Sequence, residues 1–63
     1  MSSTVIIEIQ STGGTWIRFC DGANRPATIQ RLLESALRSQ SWVKKARALD
    51  SVAKQLIDIS IGI

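Results

Sequence analysis

The chain has 63 residues, of which 44% are hydrophobic and 21% charged, and its net charge is +3. This length limits it to one small domain over residues 1–63 with a modest core, and the composition excludes a disordered tail. One cysteine and no histidine exclude an intrachain disulfide, a Cys/His zinc site and histidine-based catalysis, so we expect no metal, cofactor or catalytic residue.

A β-hairpin is predicted first. Val5, Ile7 and Ile9 recur at every second position, which is typical of a strand with one buried face. Two glycines at 13 and 14 suit a tight turn, and a second alternating strand follows over residues 15–20. In that strand we expect Ile17 and Phe19 on one face and Trp16, Arg18 and Cys20 on the other.

A turn and an amphipathic helix are predicted next. Residues 21–24, with the sequence Asp-Gly-Ala-Asn, favour a turn. Pro26 suits the first turn of a helix, where its missing N–H has no intrahelical partner to lose. The helix then carries an apolar stripe at helical spacing, formed by Ile29, Leu32, Leu33, Ala36 and Leu37.

The segment from Trp42 to Gln55 admits two interpretations. Its alanines and lysines favour a second helix over about 42–54, which would give a ββααβ domain. Residues 43–49 also alternate like a strand, with a turn over about 50–54, and a fourth strand lets one helix cover the sheet. We therefore predict an α+β domain, ββαββ, with one helix packed on a four-stranded, mostly antiparallel sheet. Trp42 is expected to cover the edge of the core.

The end of the sequence predicts an apolar edge strand. From Ile57 to Ile63 every second residue is isoleucine. We expect Ile57, Ile59 and Ile61 to face the helix together with Val5, Ile7, Ile9, Ile17 and Phe19, and this strand to offer an edge for association.

The sheet surface away from the helix is the predicted interaction face. The pleat should bring tryptophan, cations and aliphatic side chains to a surface that nothing else in the chain can cover. Glu8, Cys20, Asp58 and Ser60 are expected on the same side; Glu8 and Asp58 should pair with nearby cations, and Cys20 should be inert rather than reactive. The residues predicted to carry the interaction are Ile6, Trp16, Arg18, Val43, Lys45, Arg47 and Leu49.

Two functions compete for this face. The first is protein association without enzymatic activity, with a homodimer as the expected state and a further protein partner possible. The alternative is binding of single-stranded nucleic acid, with Trp16 stacking on a base between the cations of the face. An export signal and an apolar run of about 18 residues are both missing. With a single cysteine, these features favour a cytoplasmic protein that does not enter the membrane.

Overall fold

The computed structural model describes residues 3–62 and confirms the predicted ββαββ fold. One helix packs on one face of a four-stranded antiparallel sheet. The elements in chain order are β1 Thr4–Gln10, β2 Trp16–Ala23, α1 Pro26–Ser39, β3 Lys45–Asp50 and β4 Leu56–Ile61.

The strand order in the sheet is β2-β1-β3-β4. Because β2 and β3 are both antiparallel to β1, they run parallel to each other with β1 between them, and the helix makes the crossover that joins them. The N-terminal strand is therefore central, whereas β2 and β4 are the two edges. The predicted position of the last strand at an edge is confirmed.

The helix forms where the apolar stripe predicted it. Pro26 occupies its first turn, and the preceding Arg25 gives no side-chain cap. Ile29, Leu33 and Ala36 are buried against the sheet, with Leu32 and Leu37 packed at the margin. The core beneath the helix is completed by Val5, Ile7, Ile9, Val43, Ala46 and Ala48.

Small side chains on β3 let the helix lie close to the sheet. Ala46 and Ala48 pair with Ile9 and Ile7 of β1, so these four side chains share the helix-facing side. Both alanines are fully buried, as is Ala36 of the helix.

The second strand is longer than predicted. Three of the four residues expected to form a turn at 21–24 belong to β2, so that prediction is wrong for residues 21–23. Asp21, Gly22 and Ala23 continue β2 and pair with Ile6, Val5 and Thr4. Gly22 lies under the helix, where a Cβ atom would come within 2.5 Å of Leu32 Cδ1. The glycine therefore serves close packing of the helix on the strand rather than a turn.

The ambiguous segment contains a strand, which excludes the second helix over 42–54. The strand begins at Lys45, two residues later than predicted. Trp42 and Val43 belong to the connection after the helix, in which the Val43 N–H donates to the Gln40 carbonyl at 3.2 Å.

Asp50 organises the turn between β3 and β4. Its Oδ1 atom accepts the N–H groups of Val52 and Ala53 at 2.9 and 2.8 Å, and its own N–H donates to the Gln55 carbonyl at 2.9 Å. Lys54 takes a left-handed backbone conformation with φ 60°. This turn fixes which residue of β4 first meets β3.

The prediction of which β4 side chains face the helix is wrong, because β4 contains a β-bulge. Leu49 pairs with Leu56 and Ala48 pairs with Asp58, so Ile57 has no partner in the ladder. The extra residue reverses the alternation that follows it. Asp58 and Ser60 consequently lie on the helix side, whereas Ile59 and Ile61 share the other side with Arg47 and Lys45. Ile63 lies outside the described residues.

The predicted sides of the sheet for Phe19 and Cys20 are also wrong, because β2 contains a second β-bulge. Ile7 pairs with Cys20 and Glu8 with Arg18, which leaves Phe19 unpaired. Cys20 therefore turns toward the helix and packs against the core, contrary to the prediction. Phe19 is partly exposed and is not part of that core, and Ile17 is also partly exposed although it pairs with the buried Ile9.

Candidate interaction surface

The side of the sheet away from the helix forms one continuous surface, which we call the open face. Its members follow from the pairings of the three ladders, since residues directly opposite each other project from the same side. They are Thr4, Ile6, Glu8, Gln10, Trp16, Arg18, Asp21, Ala23, Lys45, Arg47, Leu49, Leu56, Ile59 and Ile61.

Six of the seven residues predicted for the interaction face lie on the open face. The exception is Val43, which is buried in the core on the helix side and cannot contact a partner. The reason is that β3 starts after Val43, so the alternation of the strand does not extend to it.

Ile6 and Leu49 lie on the open face but contribute little to its accessible surface. They are paired with each other across β1 and β3, and each is only 9% exposed. This apolar pair is therefore already shielded within one chain, and the exposed apolar surface must be sought elsewhere.

Glu8, Arg47 and Trp16 form a connected cluster at the centre of the open face. Arg47 donates from Nε and Nη2 to Glu8 Oε1, at 2.8 and 2.7 Å. The same guanidinium lies over the Trp16 ring, with Cζ 4.1 Å from the ring centroid, which is a cation–π contact. The predicted pairing of Glu8 with a cation is thus present. The same Arg47 side chain packs on the Trp16 ring and so connects Glu8 to Trp16.

Replacing Glu8 with Gln should lower the free energy of unfolding by about 1 kcal/mol, because a half-buried charged pair loses its carboxylate. The side chains of Arg47 and Glu8 are 28% and 20% exposed. Asp21→Asn is the matched control, since Arg18 and Asp21 are 61% and 64% exposed, and it should cost less than about 0.5 kcal/mol. Urea unfolding followed by tryptophan fluorescence measures both; equal losses would contradict this assignment.

Glu8 and Asp58 do not form a paired-carboxylate site. Glu8 belongs to the open face, whereas Asp58 pairs with the buried Ala48 and lies on the helix side. The prediction that both occupy one face is therefore wrong, and the bulge at Ile57 is the physical reason.

Cys20 has the environment of an inert thiol. Its half-buried position raises the pKa of the thiol, the nearby Asp21 carboxylate raises this pKa further, and the Arg18 guanidinium only partly opposes them. A raised pKa lowers the thiolate fraction at neutral pH, and the thiolate is the reactive form. Within residues 3–62, no group of acidic or cysteine side chains could hold a metal ion.

The exposed aliphatic surface is concentrated on β4. Leu56, Ile59 and Ile61, which we call the β4 row, are 57%, 44% and 65% exposed. All three lie on the open face, beside Leu49, Arg47 and Lys45 of β3. Three large aliphatic side chains on one edge strand form a contiguous apolar strip, a feature that monomeric proteins rarely leave in contact with water.

The backbone of β4 also directs hydrogen-bonding groups away from the sheet along its outer edge. The Gly62 N–H donates to the Lys44 carbonyl at 2.6 Å. Gly62 and Lys44 therefore form a hydrogen-bonded pair of the antiparallel ladder, in which bonded and non-bonded pairs alternate. Ile61 and Ile59 fall in the non-bonded pairs with Lys45 and Arg47, so their N–H and C=O groups point away from β3. The outward N–H of Ile59 is covered by its neighbour, since it donates to Asp58 Oδ1 at 2.8 Å.

Two smaller hollows flank the sheet. A groove between α1 and β4 is lined by Ile29, Gln30, Asp58 and Ser60, among others. At the opposite end of the sheet, the partly exposed Trp42 lies by Ile17 over a shallow apolar hollow. The single helix within residues 3–62, α1, is neither long enough nor apolar enough to cross a bilayer.

No protein-family model, curated protein or solved structure matches this chain.

Proposed function

We propose that this protein is a non-enzymatic association module that forms a homodimer through its open face and its β4 edge. The observation that carries the proposal is the β4 row, whose members are 44–65% exposed on an edge strand. Burying such side chains stabilises by about 25 cal/mol for each Å² removed from water. A chain of this size has a small core and gains most from that burial.

A second copy is the partner that this surface fits best. An apolar strip of three side chains needs an equally apolar counterpart, and an identical chain supplies one by two-fold symmetry. Of the two cations beside the strip, Arg47 is neutralised by Glu8, which leaves Lys45, next to Ile61, as the one charge there that a second copy must accommodate. The free cysteine fits the reducing environment of the cytoplasm, where we place the protein.

The nucleic-acid alternative has weaker support. Arg47 covers one face of the Trp16 ring, so a base could not stack on that face. Arg18 and Arg47 are each paired with a carboxylate, which reduces their attraction for phosphate. Of the three cations predicted for this face, Lys45 alone is exposed and forms no ion pair within residues 3–62.

Sedimentation equilibrium over a wide concentration range tests the proposal. We expect twice the mass of one chain at high micromolar concentration and a shift toward monomer on dilution. A single-chain mass throughout would overturn the proposal. A labelled single-stranded oligonucleotide, added at low ionic strength, tests the alternative, because phosphate contacts must weaken as salt is added.

A further inference from the structure

From the geometry of the free edge we propose that the dimer forms by strand addition, in which β4 pairs antiparallel with β4 of a second copy. The two-fold axis passes beside Ser60, and the product is one continuous eight-stranded sheet with both helices on the same side. This inference rests on the proposed function and adds to it which edge pairs and in which register.

The outer edge of β4 is suited to receive a strand. Ile59 and Ile61 direct their N–H and C=O groups outward, as the bond from Gly62 to Lys44 requires. Edge strands that resist pairing carry lysine, proline or bulges along their length. The last residues of β4, from Asp58 to Ile61, are regular, and their one protective charge is Asp58.

The strand that best complements β4 is β4 itself. An added strand must place apolar side chains on the open face and polar ones on the helix side, because both layers continue across the new junction. β4 has this alternation, with Ile59 and Ile61 on the open face and Asp58 and Ser60 on the helix side. In this pairing each Ile59 lies directly beside Ile61 of the second copy on the open face, so the two side chains shield each other from water.

Charge selects the register. A two-fold axis beside Asp58 would place the two Asp58 carboxylates directly opposite each other, which is destabilising. An axis beside Ser60 separates them by four residues along the strands, about 13 Å. It also puts each Asp58 opposite Gly62 of the second copy, which has no side chain to obstruct it.

The Ser60-centred register uses all the outward backbone groups of the regular segment. Ile59 of each copy pairs with Ile61 of the other, which gives four interchain N–H···O hydrogen bonds. The Ile59 N–H, now bound to Asp58 Oδ1 at 2.8 Å, is transferred to the Ile61 carbonyl of the second copy. Asp58 thus protects the edge in the single chain and gives up its hydrogen bond when the correct strand arrives.

Ile59→Pro tests the backbone requirement, with Ile59→Ala as its matched control. Both variants lose the isoleucine side chain, but only proline removes the outward N–H, and the β3 ladder does not use that group. We expect both to keep the native circular dichroism spectrum, and the dimer of the proline variant to be weaker than that of the alanine variant by roughly tenfold. Equal dimer affinities would overturn the inference.

A cysteine at the axis tests the register without relying on proline. In a Cys20→Ala background, Ser60→Cys should form an interchain disulfide on mild oxidation, since opposite Cα atoms in a non-bonded pair lie about 4.5 Å apart. Asp58→Cys, on the same face but far from its own copy, should not cross-link. A dimer without the Ser60→Cys cross-link would overturn strand addition and leave the proposed function standing, whereas a monomeric parent chain would refute both.

Discussion

Val43→Asp is expected to unfold the protein. Val43 is buried beneath the helix with Ala46 and Leu33, and no cation belongs to that core. An unpaired carboxylate in an apolar core costs several kcal/mol, about the entire stability of a small domain. Far-ultraviolet circular dichroism at 25 °C should show the loss of helix and sheet signals.

Lys45→Asp is the control for this variant. It introduces the same residue two positions away on the exposed side of β3, so the fold should persist. A Val43→Asp protein that stays folded and merely fails to dimerise would show that Val43 belongs to the interaction surface, as the sequence suggested. The pair of variants thus decides between the two locations of this residue.

Ile7→Ala is expected to destabilise the chain by about 2–5 kcal/mol. Ile7 is fully buried at the centre of β1, and its neighbours Cys20 and Ala48 on the flanking strands are too small to fill the space it leaves. Because a domain of this size has little stability in reserve, a large fraction of the chains should be unfolded at 25 °C.

Val52→Ala provides the comparison for Ile7→Ala. Val52 is 79% exposed in the turn before β4, so its truncation should change the unfolding free energy by less than about 0.5 kcal/mol. Chemical denaturation of both variants at a concentration that favours the monomer makes the measurement. Similar midpoints for the two would contradict the placement of β1 at the centre of the core.

The elements with a strong periodic pattern could be predicted from the sequence. The stripe from Ile29 to Leu37 defines one helix face, and Pro26 marks its beginning. The alternation of Val5, Ile7 and Ile9 defines the central strand and its buried side. These signals are local, because each depends only on spacing within a single element.

The facing of the edge strands could not be predicted, because it depends on long-range pairing. Alternation shows that Ile57, Ile59 and Ile61 share a side in a regular strand, but it does not reveal an inserted bulge residue. Each bulge is fixed by how the strand meets its neighbour: β4 meets β3 after a turn built on Asp50. Strict alternation therefore predicts Ile59 and Ile61 on the helix side, whereas the bulge places them on the open face.

The sequence also could not show which side chains of the open face are buried. Ile6 and Leu49 resemble exposed contact residues in the pattern, but their pairing and their neighbours shield them. Trp16 and Arg47 lie on this face as the alternation predicts, but Arg47 also covers the Trp16 ring and binds Glu8, which is 39 positions away in the sequence. Such contacts depend on the strand order, which no single segment encodes.

The unpaired residue at Ile57 makes the final strand tolerant of a change in length. Removing this residue would restore a regular ladder in which Leu56 still meets Leu49 and Asp58 still meets Ala48. A one-codon deletion at this position would therefore leave every other side chain of the strand on its present side. Genes that encode a strand one residue shorter here can preserve the same outer edge. In chains of this type, an insertion or deletion of one residue is therefore expected at Ile57.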